Sequence, residues 1–124
     1  MRKTQGVDIM SEKTTYIHKL VRDGIPEQIA KTGQAVTYRA LEGDELLKAL
    51  HDKLIEEANE LIDAKDVKDM LEEAGDVISV VEAIVNYYKI DIGDMVHRKN
   101  LKRIDKGDFS SGYFLETIRT EVQE

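Results

Sequence analysis

The sequence contains no cysteine, and Pro26 is the one proline in its 124 residues. The lack of cysteine excludes disulfides, thiolate metal ligands, iron–sulfur clusters and cysteine nucleophiles. It also fits a reducing compartment, so we expect a cytoplasmic protein. No apolar run approaches the roughly 20 residues that a membrane-spanning helix needs, so we expect no membrane partner. Residues 1–15 carry charges without an apolar stretch, which predicts a flexible tail rather than a secretory signal.

Basic residues are also in short supply, because 18 lysines and arginines face 25 acidic residues and give a net charge of -7. Such an acidic chain is a poor partner for nucleic acid, which attracts basic surfaces. A small polyanion remains a candidate ligand only if a metal ion or a local basic cluster offsets the acids. The charged fraction of 35% is typical of helices with long solvated faces.

Apolar periodicity predicts an all-α chain with four helices and no internal repeat. Pro26 in a first turn and Gly33 beyond the last one predict a short helix. The predicted ranges are about Ile25 to Thr32, Asp44 to Ala64, Val67 to Lys89 and Gly93 to Ile104. Residues 35–41, AVTYRAL, contain β-branched and aromatic side chains and predict a short extended segment.

The second predicted helix is expected to begin at Asp44 as its N-cap. An apolar row follows it on one face, made of Leu47, Leu50, Leu54, Ala58 and Leu61. The short link around Lys65 predicts that the second and third helices are antiparallel neighbours. The third helix is nearly apolar on all sides from Val77 to Val85, which is typical of a buried helix. A chain of this size cannot surround it alone, so we expect a homodimer or homotetramer.

Two pairs of acids stand beside these apolar rows, Glu57 with Glu60 and Glu73 with Asp76. Members of each pair are three residues apart and therefore share a helix face. Four carboxylates on facing helices would repel one another unless a cation lies between them. Oxygen ligands of this kind suit Mg²⁺ or Mn²⁺, and Mg²⁺ commonly completes its coordination with substrate phosphates. Glu56 and Glu72 are additional candidates.

The alternative is that these acids are ordinary solvated side chains of charged helices, and the pattern alone leaves both interpretations open. A di-iron centre is a poorer explanation, because it requires Glu-x-x-His motifs that the three histidines do not complete. We interpret His18, His51 and His97 as surface or partly buried residues.

Residues 56–60, EEANE, are followed after twelve residues by EAGD at 73–76. This arrangement resembles the EExxE…ExxD signature of the all-α nucleoside triphosphate pyrophosphohydrolases, which include MazG-like enzymes, dimeric dUTPases and phosphoribosyl-ATP pyrophosphohydrolases. The segment YIHKLVRDGIPE, Tyr16 to Glu27, is similar to the opening of a MazG-like subgroup labelled phosphoribosyl-ATP pyrophosphohydrolase-like. The resemblance implies one MazG-like helical domain over residues 16–124, assembled as a homo-oligomeric helical bundle.

The resemblance also implies a reaction, the Mg²⁺-dependent hydrolysis of a nucleoside triphosphate to the monophosphate and pyrophosphate. Glu57, Glu60, Glu73 and Asp76 would be the metal ligands, and Glu56 would be a further ligand or would orient the attacking water with Glu57. The implied substrate-binding residues are Lys99, Asn100, Lys102, Arg103, Lys19 and Arg22. For Lys99, Lys102 and Arg103, simple compensation of a helix dipole is the alternative. For Lys19 and Arg22, the alternative to substrate binding is structural ion pairing.

Three functions therefore remain in view. The first is removal of unwanted nucleoside triphosphates, with Mn²⁺ able to replace Mg²⁺. The second is phosphoribosyl-ATP hydrolysis in histidine synthesis. The third is a non-catalytic helical oligomer that binds nucleotide or metal. The aromatic residues Tyr87, Tyr88 and Phe109 are candidates for stacking on a base, although core or interface packing explains them equally simply.

Overall fold

A computed structural model of the chain describes residues 12–123, and over that range it contains four α-helices and no strand. The helices are α1 (Ile25–Ala30), α2 (Gly43–Ile62), α3 (Val67–Tyr87) and α4 (Ile92–Lys106). The all-α prediction is confirmed for the described residues. Most of the predicted tail, residues 1–11, lies outside them. None of the helices within residues 12–123 has the length and apolar character needed to cross a membrane.

The chain divides into two compact units, Met1–Val80 and Val81–Glu124. The first unit contains α1, α2 and most of α3, and the second contains the end of α3 together with α4. Each unit is described separately below. The single domain predicted for residues 16–124 stays a prediction.

The short helix α1 begins with Pro26 in its first turn, as the sequence predicts. It ends at Ala30, before Thr32, because the chain tightens into a turn in which the Thr32 amide donates to the Ile29 carbonyl. Gly33 follows with φ of 91°, a left-handed conformation that glycine adopts without strain. Residues 35–41 form neither helix nor strand, so the extended segment predicted there is not a sheet strand.

The predicted N-cap of α2 is wrong, because Glu42 occupies that position and Asp44 lies inside the first turn. The Glu42 side chain makes no capping hydrogen bond with the described residues. Asp44 and Glu45 instead place two carboxylates near the positive end of the helix dipole. Glu45 also accepts hydrogen bonds from the Arg39 guanidinium. The residues of the predicted apolar row are all buried or half-buried, which confirms the predicted face.

Two aspartate side chains accept hydrogen bonds from backbone amides in the link between α2 and α3. The Asp66 carboxylate accepts a hydrogen bond from the Asp69 amide at 2.8 Å, and the Asp69 carboxylate accepts one from the Lys65 amide at 3.2 Å. The Asp66 carboxylate thereby satisfies an amide group of the first helical turn, which has no backbone partner within the helix. The link defines the start of α3 and turns the chain back within a few residues.

In the second unit, α3 stops at Tyr87 rather than Lys89, and Lys89 has a φ of 60°, in the left-handed region rather than the right-handed helical one. Asp91 caps α4 and accepts a hydrogen bond from the Gly93 amide at 2.9 Å. The helix ends at Gly107, whose φ of 82° again favours glycine. These caps extend α4 beyond its predicted range at both ends.

Candidate functional site

The predicted acidic residues of α2 and α3 come together in the first unit. Carboxylate oxygens of Glu57, Glu73 and Asp76 all lie within 4.8 Å of one another, and so do those of Glu56, Glu57 and Glu60. Glu57 belongs to both groups. The five residues are called the acidic cluster below: Glu56, Glu57, Glu60, Glu73 and Asp76.

The order of the charge interactions shows how the two helices pair. Glu60 is the carboxylate that affects Glu73 most strongly, whereas Asp76 is the one that affects Glu57 most strongly. Glu60, the later acid of α2, is thus paired with Glu73, the earlier acid of α3. Glu57 is paired with Asp76. Antiparallel neighbours are expected to show this order, and the antiparallel packing of α2 on α3 stays a prediction.

Glu57 occupies a core position rather than a surface one. It lies seven residues after Leu50, and only 7% of Glu57 and 5% of Leu50 are exposed. Burial is the main reason that the pKa of Glu57 rises above its usual value, and the charges of Asp76 and Glu60 raise it further. Lys53 opposes these effects. A buried carboxylate without full charge compensation is costly, which makes this position a natural ligand for a cation.

Glu73 provides a second sign of an unsatisfied site. Its Oε2 atom is buried and has no hydrogen-bond partner among residues 12–123. Burial raises the pKa of Glu73, and the charges of Glu60, Asp76 and Glu57 add to that effect. Buried polar atoms are nearly always hydrogen-bonded, so this unpartnered oxygen, on a residue whose carboxylate lies within 4.8 Å of those of Glu57 and Asp76, fits a cation-binding site. Hard oxygen donors at this spacing suit Mg²⁺ or Mn²⁺.

The chain supplies some cations of its own at the edge of the cluster. Lys19 Nζ lies 2.8 Å from Glu56 Oε2, and Arg22 Nη2 lies 2.6 Å from Asp76 Oδ1. The hydrogen bond between Lys19 and Glu56 raises the pKa of the lysine and lowers that of the carboxyl group. The two residues predicted to bind substrate thus form ion pairs in this structure.

Lys53 is a member of the site that the sequence reasoning missed. Its Nζ lies 3.1 Å from Glu56 Oε1, and its side chain is only 18% exposed. Both oxygens of Glu56 are therefore engaged by lysines, one from Lys19 and one from Lys53. The spacing of three residues between Lys53 and Glu56 on one helix was a visible signal for this pair.

Glu72, the other additional candidate, is exposed and belongs to neither acidic group within residues 12–123. The three histidines are all exposed, as expected. The remaining predicted substrate-binding residues lie on α4 in the second unit, where Lys99, Lys102 and Arg103 are exposed and Asn100 is half-buried. Their role stays a prediction.

Comparison with known proteins adds an independent finding. The family described as MazG nucleotide pyrophosphohydrolase domain matches residues 45–107, just over half of the chain. The matched range includes nearly all of α2, the whole of α3 and α4, and every residue of the acidic cluster. No curated protein and no solved structure matches the chain. The acids on α2 and α3 lie inside the matched range, and the chain belongs to the MazG nucleotide pyrophosphohydrolase domain family.

Proposed function

We propose that the protein is a Mg²⁺-dependent nucleoside triphosphate pyrophosphohydrolase that cleaves the bond between the α and β phosphates. The products are a nucleoside monophosphate and pyrophosphate, and the proposed role is removal of unwanted nucleotides in the cytoplasm. Membership of a pyrophosphohydrolase family supports the reaction class. The observation that carries the proposal is the convergence of acids from two helices, together with the buried Oε2 atom of Glu73, which has no hydrogen-bond partner among the described residues.

Glu57, Glu60, Glu73 and Asp76 are the residues proposed to hold the metal. When bound, a divalent cation supplies positive charge to the phosphate oxygens and acidifies coordinated water. Glu57 is suited to a central position, because its carboxylate belongs to both acidic groups. Its burial restricts its motion and limits access of bulk water. Mn²⁺ is expected to replace Mg²⁺ because both prefer oxygen ligands.

The chain's own residues then position the reactants. Glu56 and Glu57 are proposed to orient the attacking water and take its proton as the new bond from oxygen to phosphorus forms. The anhydride bond breaks in line, and the pyrophosphate leaves. Catalysis of this type depends mainly on positioning and on stabilising charge.

The triphosphate needs basic partners in a protein with net charge -7. Lys99, Lys102 and Arg103 are proposed to contact phosphates, with Asn100 as a hydrogen-bonding neighbour, and all four are residues of α4. Arginine can form two parallel hydrogen bonds to phosphate, whereas lysine acts as a point charge. Lys19 and Arg22 are also proposed to bind substrate.

A nucleotide panel tests the proposed reaction. Purified protein is incubated with ribo- and deoxyribonucleoside triphosphates and phosphoribosyl-ATP in Mg²⁺ or Mn²⁺, and the products are separated by anion-exchange chromatography. We expect a monophosphate and pyrophosphate. A diphosphate and phosphate would contradict the assigned scissile bond. Much faster hydrolysis of phosphoribosyl-ATP would favour histidine synthesis, and metal binding without any turnover would favour a non-catalytic role.

Glu73→Gln and Glu72→Gln form a matched pair of variants for the site. The two residues are adjacent on α3 and each change removes one negative charge, but only Glu73 belongs to the acidic cluster. Glu73→Gln should lower the rate by roughly a hundredfold or more, since it removes a metal ligand. Glu72→Gln should keep most of the activity. Equal effects of the two changes would contradict the site assignment.

Self-association is a further part of the proposal. Several apolar side chains of α3 in the first unit are exposed, among them Leu71 at 63% and Ile78 at 57%. Among the described residues, only Leu50 and Val80 are buried hydrophobic residues. Contact with another copy would cover such side chains, which supports a homodimer or homotetramer. Light scattering coupled to size-exclusion chromatography measures the mass, and a monomer at all concentrations would contradict this part.

A further inference from the structure

We propose that Lys19 and Arg22 are counter-ions built into the chain, which occupy the edge of the acidic cluster in the absence of metal and compete with the divalent cation for its carboxylates. The inference rests on the proposed function, because it assumes that the acidic cluster binds a metal. It adds a role for residues 16–24, called the basic segment below, which lie outside the matched family range.

The basic segment contacts acids of the cluster on both helices. Lys19 contacts Glu56 on α2, and Arg22 contacts Asp76 on α3. Residues 18–20 also share a small surface pocket with α2, lined on that side by Ala49 and Lys53 among others. The segment is thus held against both helices that carry the acids.

The charges explain why these contacts form. When all are ionised, the five carboxylates of the acidic cluster face three cations, Lys19, Arg22 and Lys53. Two negative charges remain, which is the charge that one divalent cation would neutralise. Since Asp76 and Glu56 are also candidate ligands, a metal that binds them must displace the basic segment or share oxygens with it.

Displacement of the basic segment would also free its cations for a second use. A guanidinium or ammonium released from a carboxylate can bind a phosphate oxygen, because both anions accept charge-assisted hydrogen bonds from these groups. The same two residues can therefore neutralise acids of the cluster and contact a metal-bound triphosphate in turn. Competition predicts that removal of either cation strengthens metal binding.

Arg22→Met and Arg39→Met make a matched comparison. Each change removes one positive charge from an arginine paired with a carboxylate, but the partner of Arg39 is Glu45, outside the acidic cluster. Binding of Mn²⁺ alone, without nucleotide, is measured at low ionic strength by the electron paramagnetic resonance signal of the free ion. Arg22→Met should bind Mn²⁺ roughly tenfold more tightly than the wild type, since a nearby positive charge no longer repels the ion. Arg39→Met should bind it as the wild type does.

Thermal unfolding in EDTA gives a second readout. Arg22→Met should have a lower Tm than Arg39→Met, because it leaves carboxylates of the cluster without their counter-ion. Saturating Mn²⁺ should remove most of that difference. Lys19→Met tests the same inference through Glu56, should Arg22→Met fail to fold.

The outcomes separate this inference from the proposed function. Normal Mn²⁺ binding by the wild type, with equal or weaker binding by Arg22→Met and Lys19→Met, would overturn the competition and leave the proposed metal site intact. No Mn²⁺ binding by any of the proteins would overturn both. Equal Tm values for Arg22→Met and Arg39→Met in EDTA would also contradict the counter-ion role.

Discussion

Replacement of Glu57 by glutamine should raise the stability of the metal-free protein. It should also remove most of the further stability that the wild type gains when metal is added. Glu57 is 7% exposed, and its carboxylate lies within 4.8 Å of those of Glu73 and Asp76. Two like charges at that distance repel by about 0.9 kcal/mol even at the dielectric constant of water. Loss of two such repulsions, partly offset by loss of the attraction to Lys53, should raise the free energy of unfolding by roughly 1 kcal/mol.

The assay is thermal unfolding of the wild type and Glu57→Gln in EDTA, followed by titration with Mg²⁺ or Mn²⁺. A gain of about 1 kcal/mol corresponds to a rise in Tm of roughly 3–5 °C for a protein of this size. The wild type should gain stability on addition of metal, because a ligand that binds only the folded state stabilises it. Glu57→Gln should gain little.

Glu72→Gln is again the control, because it removes the same charge at an exposed position outside the cluster. Its Tm in EDTA should change little, and its response to metal should equal that of the wild type. A lower Tm for Glu57→Gln in EDTA would refute the reasoning. It would show that Glu57 stabilises the fold by itself and that its burial does not reflect a missing cation.

Three further predictions follow from the described residues. Burial and neighbouring charges raise the pKa of Glu57, so the folded state holds its proton more tightly than the unfolded state does. This contribution to stability is present at low pH and is lost as the pH rises through the folded pKa, so in EDTA the Tm advantage of Glu57→Gln should grow as the pH rises above the ordinary range of a glutamate carboxyl group. Leu50→Ala should cost about 2–4 kcal/mol in urea unfolding, because Leu50 is the more deeply buried of the two core residues, and a cost below ~1 kcal/mol would contradict its core position. Asp91→Ala should cost about 1 kcal/mol by loss of the cap on α4, with no effect on Mn²⁺ affinity.

The helices were the most predictable part of the fold. Every end of the four lies within two residues of its predicted position, because apolar spacing, Pro26 and Gly33 act locally. The error at Asp44 shows the limit of local rules. Asp44 is a favourable cap, but the helix starts one residue earlier, at Gly43, so the capping position falls on Glu42.

The acidic cluster was predictable for a different reason. A spacing of three residues fixes which acids share a face, and a short link between long helices fixes antiparallel packing. The ion pairs of the basic segment follow from neither rule. Lys19 and Glu56 are separated by 37 residues and Arg22 and Asp76 by 54, so their contacts depend on how a segment without regular structure folds back onto α2 and α3. Charge alone cannot select these partners from the 25 acidic residues of the chain.

The directions of the pKa shifts divide the acids into two kinds. The pKa of Glu45 and that of Glu56 are lowered, in each case chiefly by a hydrogen bond from a cation of the chain. The pKa of Glu57 and that of Glu73 are raised, chiefly by burial. The fold therefore pairs Glu56, at the edge of the cluster, with two lysines. At Glu57 burial outweighs the attraction of Lys53, and at Glu73 neighbouring acids add to the effect of burial. Stability alone would favour apolar or paired residues there. A central deficit of positive charge surrounded by satisfied ion pairs is instead what a site for an external cation requires.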